Sequence, residues 1–491
     1  MPSNQTATAD GWPLWRLRTE ALKAADARIA QEPQAIEPRL YRARLLAELG
    51  QVEEAKSAYL DLLALSPSHF DALNDLGKLL GSSGWTWASR ACFTEAAARH
   101  PENPIGHINL GRILLQEGEL ALARHHFEKA LESGPSFPEA HQGLAYVLSG
   151  LGDEDAAGRH RRMGFINRSV DVLPFRGSRT PIPVLVLASA MGGTSPVVQL
   201  LDDRLYLVTV IVVEFFDPAS PLPPHRLMIN AIGDADLCRA GLEAAAKLAA
   251  LTEAPVLNHP SAVLKTGRIA NASRLRQAPG VIAPAMMSLP RAALAGPGGI
   301  DTAADLGFPC PFLLRTLGFH NGQNFFRIEN ADDLSTALKS LPGRELAIMQ
   351  FLDARRPDGK VRKYRAMFIG GAIYPLHAAV SRDWKVHYVT AEMAGRPEHL
   401  AEDEAFLNAM PDVLGPRAMT ALEAIRDVLG LDYAGVDFSV NEKGEILLFE
   451  ANATMAGPIP GRHEQRDYRR APVERLLKAV SAMLAGKARC S

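Results

Sequence analysis

Residues 435–452 read GVDFSVNEKGEILLFEAN, and the rest of the chain is best read outward from them. Two runs rich in Val, Phe, Ile and Leu flank Asn441-Glu442-Lys443-Gly444, the composition of a β-hairpin with a glycine in its turn. Folding the hairpin back brings Asp437 within one or two pairing positions of Glu450. Side chains alternate along a strand, so Glu450 and Asn452 share a face. Two carboxylates and an amide at one end of an apolar hairpin are costly to desolvate without a cation. Hard oxygen ligands of this kind suit Mg2+, which commonly shares its coordination sphere with nucleotide phosphates and water. The plainer expectation is a hairpin whose acidic end simply reaches solvent, and the combination of all three residues weighs against it.

Further blocks lie upstream. Arg268-Ile-Ala-Asn-Ala-Ser-Arg-Leu precedes Pro279-Gly280-Val281-Ile282-Ala283-Pro284, and Pro311-Phe-Leu-Leu-Arg315 precedes His320-Asn-Gly322-Gln323. Ile348-Met-Gln350-Phe351-Leu352-Asp353 and Lys363-Tyr-Arg365 follow. Together with the hairpin, these blocks resemble the ATP-grasp superfamily over roughly residues 180–485. The likeness is closest to the branch holding D-alanine–D-alanine ligases, glutathione synthetases and ribosomal-protein glutamate ligases.

The resemblance implies ATP and Mg2+ as cofactors, with Asp437, Glu450 and Asn452 as metal ligands. It implies that Arg268 and Arg315 meet the nucleotide and that the loop with His320 and Gly322 closes over its phosphates. Gln350, Phe351, Leu352 and Asp353 would hold adenine through backbone groups, and Arg365 would act with Arg315 in catalysis. The activity implied is carboxylate–amine ligation through an acyl phosphate. That chemistry is mostly positioning and charge neutralisation, and it needs no protein nucleophile, in keeping with the lack of a Ser–His–Asp or Cys–His set. By position alone, the acyl substrate is expected near Ser381-Arg382-Asp383-Trp384-Lys385-Val386-His387 and the loop 453–462. Two departures stand out. Arg268 and Arg315 replace the usual lysines, which keeps the charge but changes the geometry. Gly435 stands where D-alanine ligases carry an arginine.

The first third follows a different pattern. Gly50, Gly84, Gly118 and Gly152 recur every 34 residues, as do Pro67, Pro101 and Pro135. Tyr59, Phe93 and Phe127 keep that period, and so do the small residues Ala43, Gly77, Gly111 and Ala145 on one predicted helix. Ala55, Ser89, Ala123 and Ala157 keep it on the next. Small positions let two helices approach, the aromatic fills the groove to the next unit, and glycine ends the first helix. Proline then prevents the second from continuing. The pattern resembles the tetratricopeptide repeat. A weaker unit with Ala21, Ala25 and Pro33 precedes it, and Arg161 replaces the aromatic in the last, as in a capping unit facing solvent. Such arrays present a surface for a peptide or protein partner, and packing against the rest of the chain is the plainer alternative.

Between these regions, 166–182 loses helical period. Val184 to Leu187 then reads as a strand leading to Gly192-Gly193-Thr194-Ser195 and a helix, a turn able to hold an anion at a helix N-terminus. Strands at Tyr206–Phe215 and Arg226–Ile232 and a helix at Asp236–Leu251 complete a small parallel sheet. The predicted class is α+β multidomain. A repeat solenoid occupies 1–165, a pre-ATP-grasp α/β domain 180–257, and an ATP-grasp domain 258–488 with a nucleotide-closing part near 285–350.

A net charge of −2 gives no global reason to bind nucleic acid or a membrane surface. The four cysteines are scattered and no secretion signal opens the chain, so a cytoplasmic protein is expected. Two other functions stay open: an ATP-binding scaffold without catalysis, and an adaptor working through its repeats.

Overall fold

The computed structural model describes residues 14–316, 324–386, 391, 393, 395–455 and 464–489. The chain divides into two compact units, Met1–Pro183 with Asp202–Val210, and Val184–Leu201 with Ile211–Ser491. Among the described residues no helix is long and apolar enough to cross a membrane.

In the first unit, Leu14–Gln31 precedes four helix pairs: Ile36–Glu48 with Val52–Leu65, Phe70–Ser82 with Thr86–Arg99, Pro104–Gln116 with Leu120–Glu132, and Pro138–Gly150 with Glu154–Phe165. Gly50, Gly84, Gly118 and Gly152 sit in the turns within the pairs at φ of 74°, 83°, 81° and 84°, where a side chain would be strained. The small positions meet the aromatics directly. A Cβ on Gly77 would stand 2.6 Å from Phe93, and one on Gly111 would stand 2.9 Å from Phe127. Ala43, Ala55, Ala123, Ala145 and Ala157 have no exposed surface, and Ser89 Oγ donates to Gly77 O at 2.7 Å. Arg161 differs from the expectation. Its side chain is 11% exposed rather than facing solvent, and it pairs with Glu154 at 3.2 Å, so its charge is met locally. The segment 166–182 carries a short strand, Val170–Val172.

The second unit opens with a parallel arrangement. Ile182–Ala188 pairs with Leu227–Asn230, which pairs with Val256–Leu257. The helix over this sheet is Arg239–Ala249. The expected helix after Gly193 is absent: Pro196–Leu200 is a five-residue 3-10 turn, its proline followed by two β-branched valines. An anion site at a helix N-terminus is therefore not formed there.

Two further sheets follow. An antiparallel sheet runs in the order Met286–Pro290, Glu345–Gln350, Phe312–Arg315, Phe325–Ile328, with its own core of Leu289, Phe312, Leu334 and Ile348. A five-stranded sheet runs in the order Ala372–Ser381, Val361–Ile369, Tyr433–Val440, Ile446–Asn452, Val281–Ile282. One buried cluster joins Leu185, Met228 and Leu242 to Leu275, Phe438 and Leu448. The Asn258 side chain also donates to Tyr433 O at 2.7 Å and accepts from Tyr433 N at 2.9 Å. The parallel sheet and the hairpin thus share a core, although the sequence reading divides them at 257/258.

Candidate functional site

The hairpin Tyr433–Val440/Ile446–Asn452 sets the frame. Asp437 lies opposite Glu450 and Gly435 opposite Asn452, with a shift in pairing between Asp437 and Phe438. The strand Val361–Ile369 pairs on the other side, with Arg365 opposite Asp437, and its own pairing with Ala372–Ser381 shifts between Arg365 and Ala366. Such bulges re-aim the neighbouring side chains. Arg365 grips Asp437 through Nε at 2.5 Å and Nη2 at 2.8 Å, and Lys363 Nζ lies 2.7 Å from the same carboxylate. Asp437 is only 3% exposed. Burial alone would raise its pKa, but Lys363 and Arg365 reverse that and hold the carboxyl well below the usual range. Against the effect of burial, Asp437 in turn raises Arg365.

Arg268 opens the helix Arg268–Leu275 and donates to Glu450 Oε1 at 2.5 Å, where Asn452 Nδ2 also donates at 2.8 Å. Arg315 ends the strand Phe312–Arg315 and is 5% exposed. Burial, with Arg268 nearby, pushes its guanidinium down to about 10. Glu450, Asp236 and Asp234 act in the opposite direction, so the guanidinium sits between a neighbouring cation and three carboxylates.

These groups line one open cleft of about 940 Å³, its solvent-filled mouth included. That size suits a small organic ligand. One end holds Arg268, Arg315, Lys363 and Lys385 against Asp437 and Glu450, so the basic groups outnumber the acidic ones. The other end is apolar. Trp384 stands edge-on to Phe325 and Phe351, with ring centroids at 5.6 and 6.0 Å, and Met349, Leu352 and Val386 complete the wall. Arg315 lies over Phe325 and Arg327 over Phe351. A cleft with aromatic and aliphatic side chains beside several basic groups can take an aromatic ring carrying phosphates.

Of the residues singled out in the sequence, Arg268, Arg315, Gln350, Phe351, Leu352, Asp437 and Glu450 line this cleft, and Arg365 stands behind Asp437. Asp353 does not: its carboxylate closes on Arg355 at 2.6 Å and lines a separate depression. Asn452 lines a neighbouring pocket that shares Arg268 and Glu450 with the cleft. His320, Gly322, His387 and residues 456–462 lie outside the described residues. Trp384, Lys385 and Val386, expected beside the acyl substrate, stand in the cleft. Lys363, Phe325 and Trp384 had no nucleotide role in the sequence reading; alternation along Val361–Ile369 was the signal available for Lys363.

The metal fit depends on the nucleotide. Both carboxylates are held by basic side chains, and among the described residues no group of three or more His, Cys, Asp or Glu is placed to hold a metal ion. Asp437, Glu450 and Asn452 do supply hard oxygen donors at one end of the hairpin, beside the basic groups that phosphates would engage. The set therefore suits a metal that arrives with its phosphates.

Comparison with known proteins bears on the first unit. The tetratricopeptide repeat family model matches residues 40–81, 88–138 and 110–158. The N-terminal region is thus a tetratricopeptide-repeat array, followed by a mixed α/β region. Similar solved structures include MamA 41-end from Desulfovibrio magneticus RS-1, at 23% identity and TM-score 0.27 over 29% of this chain and 81% of that one. A MamA RS-1 double mutant gives 22% identity and TM-score 0.28 over 30% and 83%. YrrB, described as a TPR protein with an unusual peptide-binding site, gives 22% and 0.27 over 29% and 74%. No protein of curated function matches the sequence.

Proposed function

We propose that the protein docks a peptide or protein partner on its repeats and binds Mg·ATP in the α/β cleft, there joining a carboxylate to an amine. The docking half is supported by the repeat match and the regular register of the helix pairs. The ligase half rests on one observation: residues from six separate strands, a helix and the segment 384–386 bring basic groups, two carboxylates and an aromatic wall into a single cleft. The ATP-grasp resemblance of the motifs supports the same reading.

In this reading, Asp437, Glu450 and Asn452 would hold Mg2+, which neutralises phosphate charge and polarises the transferred group when bound. Arg315, Arg268 and Lys363 fix the phosphates, and Arg365 positions Asp437. The aromatic wall fixes the base and keeps water from the phosphoryl group. An adaptor whose cleft only holds nucleotide is the second reading, and the repeats favour docking more directly than they favour any reaction.

Phosphate release from Mg·ATP by the full chain, with a panel of carboxylates and amines, separates the two. Release stimulated by a carboxylate and abolished in Glu450→Ala is the expected result. ATP binding without turnover across the panel would leave the adaptor.

A further inference from the structure

The first unit holds a concavity that the repeat pattern does not account for, of about 820 Å³ with its open mouth included. Three stretches of chain meet there. Arg18, Glu48 and Leu49 come from the first helices of the array and the turn after them, Arg176 to Arg179 from the segment that follows the array, and Arg204 and Leu205 from the approach to the strand Tyr206–Val212. Backbone bonds hold the last two stretches together, with Arg176 N donating to Asp203 O at 2.8 Å and Ile182 N to Leu205 O at 2.9 Å. Four arginines remote in sequence, Arg18, Arg176, Arg179 and Arg204, thus surround one opening.

Two of them are met by carboxylates. Arg18 Nε lies 2.8 Å from Glu48, and Arg176 Nη2 lies 2.5 Å from Asp203. Among the described residues no carboxylate pairs with the side chain of Arg179 or Arg204, and Asp202 Oδ1 accepts only the backbone N–H of Arg204, at 2.9 Å. The Arg204 guanidinium instead lies against the turn at Gly50, where a Cβ would collide with Nη2. A Cβ on the equivalent Gly84 or Gly152 would meet nothing within 4 Å. Glycine therefore does more at this turn than accept a φ of 74°, since it makes room for a charge. Four guanidinium groups against two carboxylates leave two positive charges in one concavity, which focuses the field on an incoming anion.

We infer that this concavity binds a phosphate monoester. Such a group carries roughly −1.5 to −2 charges at pH 7, matching the excess, and its oxygens accept the paired N–H groups of a guanidinium. The Ser178 hydroxyl lines the same opening as a further donor, and Leu49 and Leu205 offer apolar surface to the organic part of the ester. A small phosphorylated molecule and a phosphorylated side chain of a docked partner share this chemistry. None of these residues lines the α/β cleft, so the site stands apart from the ligase reading.

The test is calorimetric titration of the full chain with glycerol 2-phosphate, with amidated glycyl-phosphoseryl-glycine, and with acetate. At least one of the phosphate esters is expected to bind at least about tenfold more tightly than acetate. Stronger binding of the peptide would assign the site to a partner's phosphorylated side chain, and stronger binding of glycerol 2-phosphate to a small molecule. Arg179→Gln and Arg204→Gln are each expected to weaken the ester about tenfold. Arg179 is exposed and keeps the test open should Arg204→Gln disturb the turn at Gly50. No binding of either ester, or acetate bound equally well, would overturn the inference. Ester binding lost in Arg315→Ala and kept in Arg179→Gln would also overturn it, by placing the phosphate in the cleft.

Discussion

The repeat array and the α/β cleft solve placement in opposite ways. In the array each residue type recurs at 34-residue intervals, so every contact joins a unit to itself or its neighbour, as with Phe127 between Gly111 and Gly143. In the cleft nothing recurs. Arg268, Arg315, Lys363, Asp437 and Glu450 come from distant points of the chain and meet only after two sheets have formed. A period writes its own geometry into the sequence, whereas a cleft is written only through its fold. Damage to the array should therefore appear as lost stability, and damage to the cleft as lost affinity.

The largest expected effect is in the array. Phe127 has no exposed surface, and Phe127→Ala should cost about 3–5 kcal/mol in chemical denaturation of the repeats. Nucleotide affinity measured on the same variant should not change. If it falls, the contrast between the two regions fails.

Gly435 tests the opposite case, a cleft strand where shape alone matters. A Cβ there would stand 2.7 Å from Met455 Cβ and 2.9 Å from Met367 Sδ. Gly435→Ala should destabilise the second unit by roughly 1–3 kcal/mol in thermal unfolding. The same crowding leaves no room for a long side chain at this position.

Trp384→Ala should weaken Mg·ATP about tenfold by calorimetry, equivalent to about 1.4 kcal/mol, with no change in repeat stability. An unchanged affinity would remove the aromatic wall from the site.

The smallest effect is a pH dependence from histidine pairs in the array, His107 with His126 and, one unit on, His141 with His160. His107 Nε2 donates to Pro101 O at 3.0 Å, so its Nδ1 accepts from His126 Nδ1 at 3.0 Å. Burial, then His107 and His125, push His126 down to about 4. That value lies below the unfolded one near 6.5. The folded state therefore binds fewer protons, and the pair's contribution is complete above about pH 6.5 and lost as pH falls toward 4. The effect should be of order 1 kcal/mol after solvent screening. One unit upstream the same register holds Leu73 and Cys92. Copying them, as His107→Leu with His126→Cys, should make the acid side of the array's stability profile shallower, with His160, also lowered by burial and His141, left to supply the rest.

What could be read beforehand follows the same divide. Gly50 to Gly152, the prolines after each second helix and the buried aromatics were legible because repetition turns chance into pattern. Arg161 was not, since one residue without a register partner does not reveal which way its stem turns. The hairpin was legible because its two runs adjoin, and Asp437 does lie opposite Glu450. Trp384 and Phe325 were not, because nothing local says that the bend after Ala372–Ser381 and a strand of another sheet will bring their rings within 5.6 Å. The turn after Gly193 misled for a local reason, with Pro196 and two valines giving a 3-10 turn in place of a helix.

The central claim, that the cleft is a nucleotide site, is tested most directly by titrating Mg·ATP into the full chain beside Arg315→Ala. Binding to the wild type with a loss of roughly a hundredfold in the variant is the expected result, since Arg315 is a buried cation on the wall of the cleft. No binding to the wild type, or equal binding to both, would contradict it.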